Sequence, residues 1–104
     1  MTDDGRSGDL IEQFLDAAWL ESGLSANTLA AYRSDLSAFK RWCDEKIDAL
    51  DKVSRADLLN YLAANVYAGL SARSSARRLS TLRRFYRYLL REGLIVVDPT
   101  SDIR

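Results

Sequence analysis

Between Leu58 and Arg91 the chain carries no acidic residue, while seven arginines fall between Arg73 and Arg91. At the roughly 100° per residue of an α-helix, Arg73, Arg77, Arg84, Arg87 and Arg91 form one stripe about 80° wide, with Ser80 among them. Five guanidinium groups on one face repel each other unless anions or carboxylates neutralise them, and no acid precedes Glu92 in this segment. The planar fork of arginine suits phosphate oxygens and the O6/N7 edge of guanine. Ser71, Ser74 and Ser75 add short donors at the first turn, where backbone N–H groups already favour an anion. Two readings are open from the residues alone. One is a phosphate-bearing partner; the other is a solvated cationic face paired with Asp44, Glu45, Asp48 and Asp51.

Other chemistry is scarce. The chain has no histidine and a single cysteine, Cys43, which excludes zinc fingers, His-based catalysis and an internal disulfide. No tyrosine has a Lys/Arg/His constellation around it by spacing, so no catalytic residue, metal site or cofactor is expected. No apolar run approaches the roughly 20 residues of a membrane span, and the polar start is no signal peptide, so a cytoplasmic protein is expected. With 104 residues, 47% apolar and 29% charged, this is the composition of one folded domain. Its net charge of zero hides a separation: residues 1–60 hold seven basic and twelve acidic side chains, residues 61–104 eight and three. Such polarity gives two electrostatic faces, one of them fit for phosphate.

Four helices are needed to position these groups. The first is predicted to start at Asp9 and to carry Leu10, Ile11, Phe14, Leu15, Ala18 and Trp19 on one stripe, ending at Ser22-Gly23. Ser25 caps a second, to about Lys46, through Leu29, Tyr32, Leu36, Phe39 and Cys43. Ser54 and Asp57 form a capping box opening a third, through Leu58, Leu59, Leu62 and Val66 to near Gly69. Ser71 caps the fourth, ending near Arg91, with Ala76, Leu79, Leu82, Tyr86, Leu89 and Leu90 as its apolar arc. On that assignment Arg78 and Phe85 fall away from the core centre, and Arg83 is a rim residue with a buried stem. Trp19, Tyr32, Phe39 and Tyr86 read as core; Trp42 and Tyr88 lie nearer the arc edges, where a partner could reach them.

Leu94 to Val97 is β-branched but has no second strand to pair with, so it reads as an extended, partly buried connector. Asp98-Pro99-Thr100 looks like the cap and first turn of another helix. The chain stops soon after, as a fragment of a longer protein would. Residues 1–8 are expected to be a flexible tail and residues 9–104 one all-α domain.

Two stretches resemble one family. Ile11 to Asp16 with Leu20 to Leu36, and later Ser74 to Leu89 with Arg91-Glu92-Gly93 and Asp98-Pro99-Thr100, are similar to the opening domain of tyrosine recombinases. The likeness runs from about Asp9 to Ile103 and is strongest toward the XerD type of the Xer site-specific recombinases. The resemblance implies a SAM-like bundle of four to five helices arranged as two crossed hairpins. It implies a non-catalytic, core-binding half of a clamp around duplex DNA, with the second and fourth helices facing the major groove. The catalytic Arg, Lys, His and Tyr set would belong to a separate C-terminal domain. Carried onto this chain, the DNA contacts are Asn27, Thr28, Arg33 and Ser34 on the second helix, and Arg73, Ser74, Ser75, Arg77, Arg78 and Arg84 on the fourth. Ser74, Ser75 and Arg78 rest on the family pattern and not on the arginine stripe. The resemblance further implies DNA integration and chromosome-dimer resolution during cell division. Full-length relatives would act as tetramers with a partner recombinase on two sites, activated by a septal DNA translocase; this piece would be a monomer.

A different class fits the charge separation as well: a helical protein–protein adaptor whose acidic face docks on the basic face of a partner. A helix-turn-helix regulator fits less, since it needs a short two-helix unit with a tight turn.

Overall fold

The computed structural model describes residues 5–46 and 49–103, and the four helices are present. Helix α1 runs Arg6–Ser22, α2 Ala26–Asp44, α3 Arg55–Tyr67 and α4 Ala72–Arg91, with a 3-10 turn at Leu50–Lys52. No strand occurs among the described residues, so the fold is all-α. The chain divides into two compact units, Met1–Leu50 and Asp51–Arg104. Each holds one helical pair, α1 with α2 and α3 with α4.

Local chemistry sets most helix ends. Gly23 takes φ +59°, a left-handed conformation cheap only for glycine, and its N–H donates to the Trp19 carbonyl to close α1. Ser25 accepts from the Thr28 N–H at 3.2 Å, and Ser71 from the Ser74 N–H at 3.1 Å. At α3 the capping box is complete: Asp57 N–H donates to Ser54 Oγ at 3.1 Å and Ser54 N–H to Asp57 Oδ2 at 2.8 Å. Losing a cap of this kind costs about 1 kcal/mol. Ser54→Ala should therefore lower the urea midpoint by that equivalent, and Asp57→Ala in the same background should add less than it does alone.

The start of α1 differs from the sequence expectation. The helix begins at Arg6, not Asp9, behind Gly5 at φ +86° with no side-chain cap. Residues 6–8 of the expected tail are thus helical, and Asp9 lies in the first turn, where its charge still meets the helix dipole. The reason is tertiary: Ser7 is buried and its Oγ accepts from the Leu50 N–H at 3.0 Å, 43 positions away. Residues 1–4 of that tail lie outside the described residues.

In the first unit Leu10, Ile11, Phe14, Leu36, Phe39 and Cys43 are buried, and Phe14 stacks on Tyr32 with centroids 6.0 Å apart. Trp19, expected inside, is 54% exposed, because it sits in the last turn of α1, beyond the buried Leu10–Leu15 stretch. In the second unit α4 is rolled by roughly 60° from the arc read in the sequence. Its buried residues are Leu79, Thr81, Leu82, Phe85, Tyr86 and Leu89. Phe85, placed away from the core by the sequence reading, is fully buried, while Ala76 and Leu90 are exposed. A similar correction applies to α3, which buries Leu58, Tyr61 and Asn65 and exposes Leu59 and Val66.

The connector after α4 is not a strand. Leu94 and Ile95 are half-buried, but Val96 and Val97 are exposed. Asp98 Oδ1 accepts from both the N–H and the hydroxyl of Thr100, so it closes a turn and not a fifth α-helix. Pro99, Thr100 and Ile103 are buried there, and Arg83 donates to the Ile103 carbonyl. Arg83 itself is half-buried, as expected of a rim residue.

Candidate nucleic-acid interface

Arg73, Arg77, Ser80, Arg84, Arg87 and Arg91 are all exposed on α4. Their stripe lies nearly opposite the arc centred on Leu82 and Leu89, so burying one face necessarily presents the other. At 1.5 Å per residue it runs for about 27 Å from Arg73 to Arg91. Arg87, a stripe member absent from the contacts that the resemblance implies, is exposed on this same face, and α4 continues a full turn beyond it. Arg91 is already engaged: its Nε donates to Glu92 Oε2 at 3.1 Å and its guanidinium stands 5.4 Å from the Tyr88 ring. Two of the acids offered as partners for the stripe are paired with lysines of their own unit. Lys40 holds Asp44 at 3.0 Å and Lys46 holds Glu45 at 3.7 Å. Asp51 is half-buried, and Asp48 lies outside the described residues.

The serines at the start of α4 are spent differently. Ser71 caps the helix, Ser74 and Ser75 are half-buried, and Ser75 Oγ is buried without a hydrogen-bond partner among the described residues. Arg78 turns away from the stripe. It is half-buried, and its Nη1 donates at 3.2 Å to both the Tyr61 hydroxyl and Asn65 Oδ1 on α3.

On α2 the four expected contacts separate. Asn27 and Ser34 are exposed and share a face with exposed Arg41, each seven residues after the last. The sequence reading missed Arg41, although the spacing of seven was there to find it. Thr28 is half-buried and accepts a hydrogen bond from Ser25 Oγ at 3.0 Å, so its hydroxyl serves the turn. Arg33 forms a two-pronged ion pair with Glu12 of α1, one prong being Nη2 to Oε1 at 3.1 Å. The hydrogen bond with Glu12 raises the Arg33 pKa above the ordinary arginine value; desolvation opposes this, and the charges of Glu12 and Asp16 add to it. Trp42, considered as a platform for a partner, stacks on Phe39 at 6.3 Å and lies 5.2 Å beneath the Lys46 ammonium.

Residues 11–93 match the phage integrase N-terminal SAM-like domain. The chain belongs to that family. Among curated relatives, this SAM-like domain is 51% identical over 94 residues to tyrosine recombinase XerD of Pseudomonas aeruginosa, covering 90% of the chain and 32% of the relative. It is 51% identical to XerD of Pseudomonas putida over the same span, and 53% identical over 93 residues to XerD of Proteus mirabilis, covering 88% of the chain and 29% of the relative. The SAM-like domain thus spans about a third of the length of these relatives. Among the described residues, no helix is long and apolar enough to cross a membrane.

Proposed function

We propose that this SAM-like domain binds duplex DNA as the non-catalytic N-terminal half of a site-specific tyrosine recombinase. The observation that carries the reading is the exposed arginine face of α4, which has no carboxylate before Glu92 and the length to follow a major groove. On α4 the contacts are Arg73, Arg77, Arg84 and Arg87, with Ser80 between them; on α2 they are Asn27, Ser34, Arg33 and Arg41. Thr28, with Ser25, and Ser71 hold the turns that aim them. Most contacts neutralise phosphates and set register, and one or two arginines read base edges. On this reading the parent protein acts in cytoplasmic DNA recombination, with chromosome-dimer resolution at cell division as its setting; the likeness to XerD proteins supports it. A partner recombinase and a DNA translocase are then its protein partners.

An NMR titration with a short duplex, at low and then moderate salt, tests this reading. Shifts concentrated at residues 25–41 and 71–91 that fade as salt rises are the expected result. A well-dispersed spectrum that stays silent at low salt overturns it, and salt-sensitive self-association without DNA would point to the adaptor instead.

Arg33 offers a sharper check. In the unbound chain its guanidinium is held by Glu12, an exposed pair worth about 0.2–1 kcal/mol. Glu12→Gln should release it and tighten duplex binding by up to about fivefold, with little loss of stability. Unchanged affinity would assign Arg33 to holding α1 against α2.

A further inference from the structure

We infer that Arg78 is a positioning residue that orients the N-terminal half of α4 and makes no contact with DNA itself; the inference rests on the DNA reading above. No apolar side chain is buried in residues 72–78 of α4, where only Ser74, Ser75 and Arg78 are half-buried, and the buried arc begins at Leu79. Yet this stretch carries Arg73 and Arg77, half of the proposed α4 arginine contacts. What ties it to α3 is polar. Arg78 Nη1 reaches both Tyr61 Oη and Asn65 Oδ1 at 3.2 Å, and those two residues are 2% and 7% exposed. Tyr61 and Asn65 are four apart, one turn of α3, so a single guanidinium spans the turn and fixes the roll of α4 about its axis. At about 140° from the centre of the stripe, Arg78 points toward α3 while Arg73 and Arg77 point to solvent.

The same cluster is poor as a source of stability. Arg78 Nε and Asn65 Nδ2 are buried without a hydrogen-bond partner among the described residues, and so is Ser75 Oγ. Burying a cation against neutral acceptors gains little over an apolar side chain of similar volume. Orientation, which directional hydrogen bonds supply and apolar contact does not, is then what the arginine contributes.

The test uses the full chain with two variants, Arg78→Met and Tyr61→Phe, alongside Arg77→Ala. Arg78→Met keeps the bulk and removes the bonds; Tyr61→Phe removes one acceptor and no charge. Both should speed amide hydrogen exchange at residues 72–78 while leaving residues 82–89 protected. Both should weaken duplex binding roughly threefold to tenfold with an unchanged slope of log K against log salt. Arg77→Ala should flatten that slope by about 0.9. Exchange at 72–78 that matches the unmutated chain overturns the positioning role. A slope reduced by about 0.9 in Arg78→Met also overturns it, because the guanidinium would then be a phosphate contact. If the unmutated chain binds no duplex, the DNA reading fails, and the exchange rates still decide whether Arg78 anchors α4.

Discussion

Replacing Arg77 and Arg84 together by alanine is expected to halve the salt dependence of duplex binding. If about four phosphates are neutralised, log K falls against log salt with a slope near −3.6, and losing two leaves about −1.8. Between 1 M and 0.1 M salt each contact is worth about 0.9 of a decade, so the double variant should bind roughly 60-fold more weakly at 0.1 M. The fold should survive. Both side chains are exposed and opposite the buried arc, and alanine is as good a helix former as arginine. Fluorescence anisotropy across a salt series, with thermal unfolding in parallel, reads both quantities. An unchanged slope with an intact fold would move the phosphate contacts off α4.

Phe85→Ala should be the most damaging single substitution in the second unit. Phe85 is fully buried, with its ring centroid 5.1 Å from that of Tyr86 and the planes 72° apart, an edge-to-face pair. Truncating a buried phenylalanine costs about 3–5 kcal/mol, through lost transfer energy and the cavity left behind. Against a typical domain stability of about 5–15 kcal/mol, this is a large share of what holds the fold together. Leu90→Ala is the matched control. Leu90 is 42% exposed and should lose no more than about 1 kcal/mol. Urea midpoints for the pair check this roll of α4, since the arc read from periodicity places Leu90 inside and Phe85 outside.

The features legible in the sequence are the ones that nearest neighbours settle. Ser25, Ser71 and the Ser54–Asp57 box cap helices because a hydroxyl or carboxylate three residues from a bare N–H closes a local ring, whatever the rest of the chain does. Gly23 ends α1 for an equally local reason. The arginine stripe was legible because its members repeat at three, four and seven, and a helix with that repeat presents one cationic face. The all-α class follows from the same periodicity.

Which part of each helix is covered was decided by tertiary structure. The residues that could pack on α4 span a broad arc, from Leu90 round through Leu82 to Phe85, and one helix alone does not choose among them. Packing in the folded unit selected Phe85 and Thr81 and left Leu90 and Ala76 to solvent. The roll also turned Arg78 toward Tyr61 and Asn65, two polar residues whose role as acceptors has no trace in hydropathy. The pairing of Arg33 with Glu12, 21 positions apart, and of Ser7 with Leu50, 43 apart, arises the same way. The chain by itself determined the capped helix ends and that one face of α4 is cationic, because those are short-range properties; the start of α1, tied through Ser7 to Leu50, is the exception. Only the tertiary structure decided which arginines are presented and which are spent holding the fold, because a guanidinium's partner is set by what packs beside it.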